Sequence, residues 1–424
     1  MATSRIHLFL LLLLFLFTST FITSQQNEDE PPKLSLDSSE QEASYRVIDS
    51  VNYAIPRQTI FPNDLCASPP DDIVCDFFTG NNVVTSIHVT ELRFGYISDY
   101  RQNPHCSPNS ALDPLLFTSF KPLRKVFFYK CFTGNKVSLP ETIPEGFSSV
   151  LEELVFIGNP SLVGKVSSLI GNFTKLRRLV LTGNGFHGSI PGRISDLVSL
   201  QEITFSRNSL SDGFPTLYRL RNLKVVDFSH NFLDGNAPDS IGDLTEFLKL
   251  DLRFNEFSED MPFSIGKLKN LEFLYLSYNH FGNYGAPLFL VEMPRLREVY
   301  LSGNQFGDRI PEVWKNLEGI SGIGFSRMGP QGNIPASMGS SPKNLCYLAL
   351  DNNNLDGQIP KEFGFLEFAN EINLENNNLI GKTPFSDNFR DRIRKKFKLS
   401  GNPNLHVVKI SGPAISSSAS FWWF

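Results

Sequence analysis

The apolar positions of this chain fall on a fixed comb. The stretch Leu176–Pro191 reads L-x-x-L-x-L-x-x-N-x-F-x-G-x-I-P, and the same spacing returns down the sequence with little drift. Asn stands at 159, 184, 208, 231, 255, 279 and 304, Met328 takes its place once, and Asn resumes at 353, 377 and 402, in steps of 23 to 25 residues. In Leu176-x-x-Leu179-x-Leu181 the alternation of Leu179 and Leu181 predicts a short strand with one buried face. One such unit cannot bury its apolar side, but a stack makes a continuous core and turns the strands into a parallel sheet. Asn184 closes the strand because an amide at a buried corner satisfies backbone groups whose loss costs roughly 1–3 kcal/mol.

A second constant element follows each Asn. Gly188, Gly235, Gly332, Gly357 and Gly381 permit a tight turn. Pro191, Pro215, Pro238, Pro262, Pro311, Pro335, Pro360 and Pro384 all come seven residues after the Asn position. A fixed φ there predicts extended and short 3₁₀ segments on the outer side. Wide outer segments on narrow inner strands curve the stack. The fold expected is an α/β repeat solenoid, a leucine-rich repeat horseshoe with a parallel concave β-sheet, a 3₁₀ or irregular convex side and a cysteine-bearing N-terminal cap.

The pattern also sets boundaries. Residues 1–24 open with Arg5, run apolar from Ile6 to Phe17 and end in small polar residues. They read as a signal peptide cut after Ser24, with an uncleaved membrane anchor as the other reading. No other stretch approaches the ~18–20 apolar residues that span a bilayer. Residues 25–42 are acidic and poor in apolar groups, and read as a disordered leader. Residues 43–122 form the cap and a first irregular repeat, in which Val47, Ile48, Val51 and Ile55 mark an amphipathic helix and Val83–Val89 a first strand. The regular solenoid runs over 123–405, and 406–424 is a tail whose Trp422 and Trp423 are expected to pack on the last repeat.

Five cysteines fit an oxidising compartment. Cys66 and Cys75 look like a capping disulfide. Cys106 and Cys131 form a second candidate pair, although Cys131 sits at an Asn position, where a buried turn thiol is the alternative. Cys346 is left over and is expected to be packed. Asn172-Phe173-Thr174 is a glycosylation acceptor on the convex or lateral surface.

Charge narrows the function classes. A net charge of −5 with no long basic tract does not fit a nucleic-acid partner. The seven histidines are scattered, without H-E-x-x-H or a Cys-His cluster of metal spacing. Gly381-Lys382-Thr383 imitates a phosphate loop, but Asn376 stands where that loop needs Gly. The chain therefore reads as a non-enzyme without cofactor or metal. Lys395, Lys396 and Lys398 around Phe397 read as a solvated cap rather than a ligand site.

The informative surface is the concave sheet, whose variable positions point outward. Four residues before each Asn position, counting Cys131 as one, the column runs Phe127, Val155, Val180, Thr204, Asp227, Asp251, Tyr275, Tyr300, Gly324, Ala349, Asn373 and Lys398. Lys249, Arg253, Phe254, Phe273, Tyr278 and Tyr347 flank it. An aromatic patch beside carboxylates has the composition of a protein-binding hot spot. The ligand-binding candidates are Asp227, Asp251, Arg253, Phe254, Phe273, Tyr275, Tyr278 and Tyr300. Gly322 and Gly324, in the repeat that lacks its Asn, read as a degenerate repeat, or more sharply as a kink or depression for a ligand.

The repeat form L-x-x-L-x-L-x-x-N-x-L-x-G-x-I-P resembles the plant-specific extracellular leucine-rich repeats of receptor-like proteins, over roughly Pro62 to Leu405. The blocks NPHCSPNSALDPLLFTSFKPLRKVFFYKCF and GFSRMGPQGNIP look like one small group in that family. That resemblance implies a plant cell-surface protein, associated with the plasma membrane, that serves the response to a beneficial root fungus. It also implies recognition of a peptide, glycan or co-receptor and signalling through a transmembrane partner such as a receptor kinase. The sequence departs from the family in lacking the Trp that usually precedes the second cap cysteine, a spanning helix, a kinase domain and a C-terminal cysteine pair. Membrane contact is then indirect or through an unidentified anchor. The rival reading is an inhibitor of secreted microbial wall-degrading enzymes, like the polygalacturonase inhibitors, which similar plant repeats also serve.

Overall fold

The computed structural model describes residues 34–406 apart from 82, 97–102, 145–146, 148, 171–172 and 283–284. The predicted signal peptide, the glycosylation acceptor Asn172 and the aromatic tail lie outside the described residues.

Fourteen strands form one concave sheet in chain order. They are β1 (Ile73–Gly80), β2 (Val83–Phe94), β3 (Lys125–Tyr129), β4 (Glu153–Ile157), β5 (Arg178–Thr182), β6 (Glu202–Thr204), β7 (Val225–Asp227), β8 (Lys249–Asp251), β9 (Phe273–Tyr275), β10 (Glu298–Tyr300), β11 (Gly322–Gly324), β12 (Tyr347–Ala349), β13 (Glu371–Asn373) and β14 (Phe397–Lys398). Only β1 and β2 are antiparallel; every later pair is parallel, each strand one repeat after its neighbour. The period-two burial is plain in β9 and β10, where Leu274 and Val299 are fully buried between half-buried neighbours. The leucine-rich repeat solenoid expected from the comb is the fold observed.

The Asn ladder explains the corner residue. The amide of Asn255 donates to the Phe228 carbonyl of the preceding repeat at 2.9 Å and to its own Leu252 carbonyl at 3.1 Å, while its oxygen accepts the Leu233 N–H at 3.0 Å. Each Asn thus ties its repeat to the one before it. Where Met328 replaces Asn, its side chain is buried instead, and Asn353 still accepts the Met328 N–H at 2.9 Å.

The prolines start the outer segments. Pro191, Pro238, Pro262 and Pro360, at φ −72°, −74°, −60° and −57°, each precede a 3₁₀ turn. Gly188, Gly235, Gly332, Gly357 and Gly381 all have positive φ, as their turns require.

The N-terminal end differs from expectation in two places. The first helix spans Ser38–Asn52, so it begins inside the segment read as an acidic leader. Asp37 caps it, and the buried Glu40 accepts the Val89 N–H and meets His88 Nδ1, each at 2.8 Å. A carboxylate that looks like leader composition instead fastens the helix to β2. Cys75 lies within β1, a strand not expected from the sequence, and bonds to Cys66. Cys106 and Cys131 are also bonded, and Cys131 is buried at its corner. Cys346 is exposed rather than packed: it comes just before β12, where its thiol donates to the Asn344 carbonyl at 3.3 Å.

Candidate functional site

Three variable columns of the sheet and one column of corner residues converge on an open groove of about 540 Å³ across the later repeats. It begins at Arg253 and Phe254 and ends at Lys398.

The corner residue before each Asn position is left-handed. Arg207, His230, Phe254, Tyr278, Arg327, Asn352 and Asn376 have φ between 53° and 58°, and Gly158, Gly183, Gly303 and Gly401 share the conformation. This conformation favours glycine and disfavours bulky side chains. Three successive aromatics nonetheless occupy it. His230 stacks on Phe254 at 4.3 Å and Phe254 on Tyr278 at 4.5 Å. The stack ends on Gly303, where an added Cβ would lie 2.9 Å from the Tyr278 ring. Residues kept in a costly backbone region cluster at binding sites.

A second set of rings forms the floor. Tyr275 stacks on Tyr300 at 5.2 Å, and Tyr347 meets Tyr300 edge-on at 6.0 Å. Tyr300 fits because β11 carries no side chains there: a Cβ on Gly322 would fall 2.5 Å from the Tyr300 hydroxyl, and one on Gly324 2.7 Å from its ring. The two glycines are therefore the seat of Tyr300, and Gly324 also lines the groove.

Charge fixes the upstream end. Asp251 has a fully buried side chain and accepts from Arg253 Nε at 3.0 Å and Nη2 at 2.8 Å. Lys249 lies between Asp227 at 3.4 Å and Asp251 at 3.6 Å. The Arg253 guanidinium sits 4.8 Å from the Tyr275 ring centre. Burial alone would lower the Arg253 pKa, but the Asp251 hydrogen bonds and the nearby carboxylates raise it above its ordinary value. Burial, then the hydrogen bond to Glu298 at 2.5 Å, pushes the Tyr275 phenol upward. Burial and the Glu298 charge do the same to Tyr300, and burial and Glu371 to Tyr347. All three phenols remain protonated hydrogen-bond donors at neutral pH. His230 is held below its ordinary pKa by burial and by Arg207 and Arg253.

Of the eight residues predicted, Arg253, Phe254, Tyr278 and Tyr300 line the groove. Tyr275 supports Tyr300 from below. Asp251 cannot touch a ligand, because its side chain has no exposed surface; with Asp227 it orients Lys249 and Arg253. Phe273 is half-buried beside Tyr275 and off the groove lining. Sequence reasoning left out Arg327, Asp351, Glu371 and the pairing role of Glu298. The columns two and six residues before each Asn position carry Asp351, Glu298 and Glu371, and the corner column carries Arg327. Lys398, read as cap, pairs with Glu371 at 2.6 Å and lines the groove, while Lys395 and Lys396 are exposed as expected.

The model of the Leucine Rich Repeat family matches residues 222–244, 295–317 and 344–366. The chain is a leucine-rich repeat solenoid. In sequence it is similar to Receptor-like protein 35 of Arabidopsis thaliana, 37% identical over 245 residues that make up 52% of this chain and 26% of that protein. It is also similar to Piriformospora indica-insensitive protein 2 of the same plant, 34% identical over 178 residues, 42% of this chain and 40% of that protein. The chain thus spans well under two thirds of the curated relatives it matches. The resemblance to plant receptor-like proteins read from the repeat form holds. Among solved structures, the Arabidopsis receptor kinase HAESA, in complex with the peptide hormone IDA and the co-receptor SERK1, is 27% identical with a TM-score of 0.51 over 72% of this chain and 45% of that one. The plant peptide hormone receptor RGFR1 in complex with RGF2, 23% identical with a TM-score of 0.52 over 69% and 57%, shares the fold.

Proposed function

We propose that this protein is a non-catalytic receptor-like component of the cell surface. Its concave groove from Arg253 to Lys398 captures an extracellular ligand, and a transmembrane partner carries the signal inward. Among the described residues no helix is long and apolar enough to cross a membrane. The observation that carries the reading is the groove itself. The rings are stacked on one another, Tyr275 is tied to Glu298 and Arg253 is held by the buried Asp251, so binding costs little reordering at that end. The similarity to HAESA, whose structure holds a peptide hormone and a co-receptor, supports a peptide or protein ligand. The similarity to Piriformospora indica-insensitive protein 2 supports a role in the response to a root fungus.

The test places a photo-crosslinking residue at Phe254 in the full chain displayed on plant cells, with and without Tyr300→Ala. Loss of the crosslinked species in the variant, with its melting temperature within a few degrees of wild type, is the expected result. The same crosslinks in both proteins would overturn the reading. Inhibition of a fungal polygalacturonase by the purified chain would instead favour the inhibitor reading.

A further inference from the structure

We infer that the groove recognises an extended peptide bearing an acidic and a basic side chain two residues apart, the acid docked on Arg327 and the base on Asp351. This rests on the groove being the ligand site proposed above. Five charged residues line it, and three are already satisfied: Arg253 by Asp251, and Glu371 and Lys398 by each other. Arg327 is exposed and has no ion-pair partner within 4 Å among the described residues. Asp351 accepts only from neutral groups, Ser326 Oγ at 2.6 Å and Asn352 Nδ2 at 2.5 Å. The two stand on neighbouring repeats, joined by the Arg327 N–H to the Asp351 carbonyl at 3.0 Å, yet their charged ends do not pair. A cation and an anion side by side, neither in an ion pair within 4 Å among the described residues and only Asp351 sensed more distantly by Lys398, fit a ligand that supplies both.

The floor between them is low. Ser302, Gly324 and Ser326 face Tyr300 and Tyr347 there. Neighbouring strands lie about 4.8 Å apart, and same-face side chains of an extended ligand recur about every 6.7 Å. The length of an arginine side chain spans the difference. A ligand crossing the strands therefore places its acid on the cap-proximal side and its base one repeat further on.

Ring geometry selects a peptide over a glycan. A pyranose gains from aromatics by lying on a free ring face. Here the faces of four rings are occupied: Phe254 lies between His230 and Tyr278, Tyr278 also covers Gly303, and Tyr275 lies between Arg253 and Tyr300, while Tyr347 meets Tyr300 only edge-on. Tyr300 in turn rests on Gly322 and Gly324. What remains for a ligand is the single Tyr347 ring, too little for successive sugars, with ring edges, hydroxyls and the two unpaired charges.

The test pans a phage-displayed random dodecapeptide library on the immobilised full chain, with Ser302→Trp, which fills the floor, as the counter-selection. Clones lost on Ser302→Trp are expected to be enriched in an acid and a base two residues apart, in one order set by the direction in which the peptide runs. Arg327→Ala should weaken them about 10- to 100-fold, as should Asp351→Ala, consistent with loss of one charged hydrogen bond. Panning on the double variant Arg327→Glu/Asp351→Lys should return the opposite order. Groove-dependent clones without this spacing, or indifferent to both single substitutions, would overturn the charge pairing and leave the groove reading intact. Failure to recover any clone sensitive to Ser302→Trp would overturn the groove reading as well. Binding of a printed glycan array in a Ser302→Trp-sensitive way would overturn the choice of peptide. Thermal melts of each variant within a few degrees of wild type separate these outcomes from misfolding.

Discussion

The two halves of the concave sheet are built on the same columns and end in opposite states. On the cap side, Glu91, Lys125, Glu153, Arg178 and Glu202 stand in register on successive strands. They pair in sequence: Lys125 with Glu91 at 3.2 Å and Glu153 at 3.6 Å, Arg178 with Glu153 and Glu202 at 2.8 Å each. In the next column Val155 and Val180 lie buried beside these arms. That half is satisfied and closed. Beyond β8 rings replace the ladder, two glycines open the floor, and Arg327 and Asp351 stay unpaired. The difference teaches that alternating charges on a repeat face report self-satisfaction, whereas a break in the alternation marks the surface left for something else.

That contrast can be broken from either side. The largest expected effect is on stability at the border of the two halves. Asp251→Ala removes both Arg253 hydrogen bonds and one of the two carboxylates beside Lys249, and should cost roughly 2–3 kcal/mol in urea unfolding, the upper end for charge-assisted hydrogen bonds. A cost near zero would mean the border pair is not structural. Next comes Tyr300→Ala, which should weaken a groove-dependent ligand by about 30-fold, the scale of a hot-spot truncation, read by surface plasmon resonance. Glu153→Ala on the closed half should leave that affinity unchanged, and an equal loss there would erase the distinction. Smaller still is Arg178→Ala. Its side chain is 41% exposed, so it should cost at most about 1 kcal/mol, and the loss should fade in molar salt.

The smallest effect concerns pH. His230 is depressed below its ordinary 6.5, so between its folded and unfolded values the unfolded chain binds more protons. Its contribution to stability is present above about pH 6.5 and lost as the pH falls through the folded value. His230→Phe keeps the stack and removes the titration, so its unfolding midpoint should fall less than wild type between pH 7.5 and 5.5.

The scaffold was legible in the sequence because its residues have one job each. Leu and Val fill, Asn ties, Gly turns and Pro starts the outer segment, so spacing alone predicts the solenoid. The site was legible only in part. Tyr275, Tyr300 and Tyr278 stand out by type, but Asp227 and Asp251 look like ligand contacts until they are seen to be turned in and spent on Lys249 and Arg253. Arg327 was missed because only strand positions suggest outward side chains, although glycine at 158, 183, 303 and 401 in the corner column was the sign of its left-handed backbone. Lys398 was read as cap because a basic cluster at a chain's end looks solvated, whereas its reach to Glu371 depends on a strand register no single repeat shows. Leader composition misled at Glu40 for a related reason: a carboxylate is exposed by habit and buried only where a specific N–H awaits it.

One consequence of Tyr300 resting on Gly322 and Gly324 reaches past binding. A repeat array looks as if it could be cut and rejoined at any turn to make chimeras. Here a junction between residues 305 and 321 would separate the tyrosine from the glycines that receive it. A foreign repeat with ordinary side chains at those two positions would evict the ring and collapse the floor, although every Leu and Asn stayed in place. The unit of exchange in this stretch is therefore two repeats, not one, and viable chimera boundaries should fall on either side of that pair.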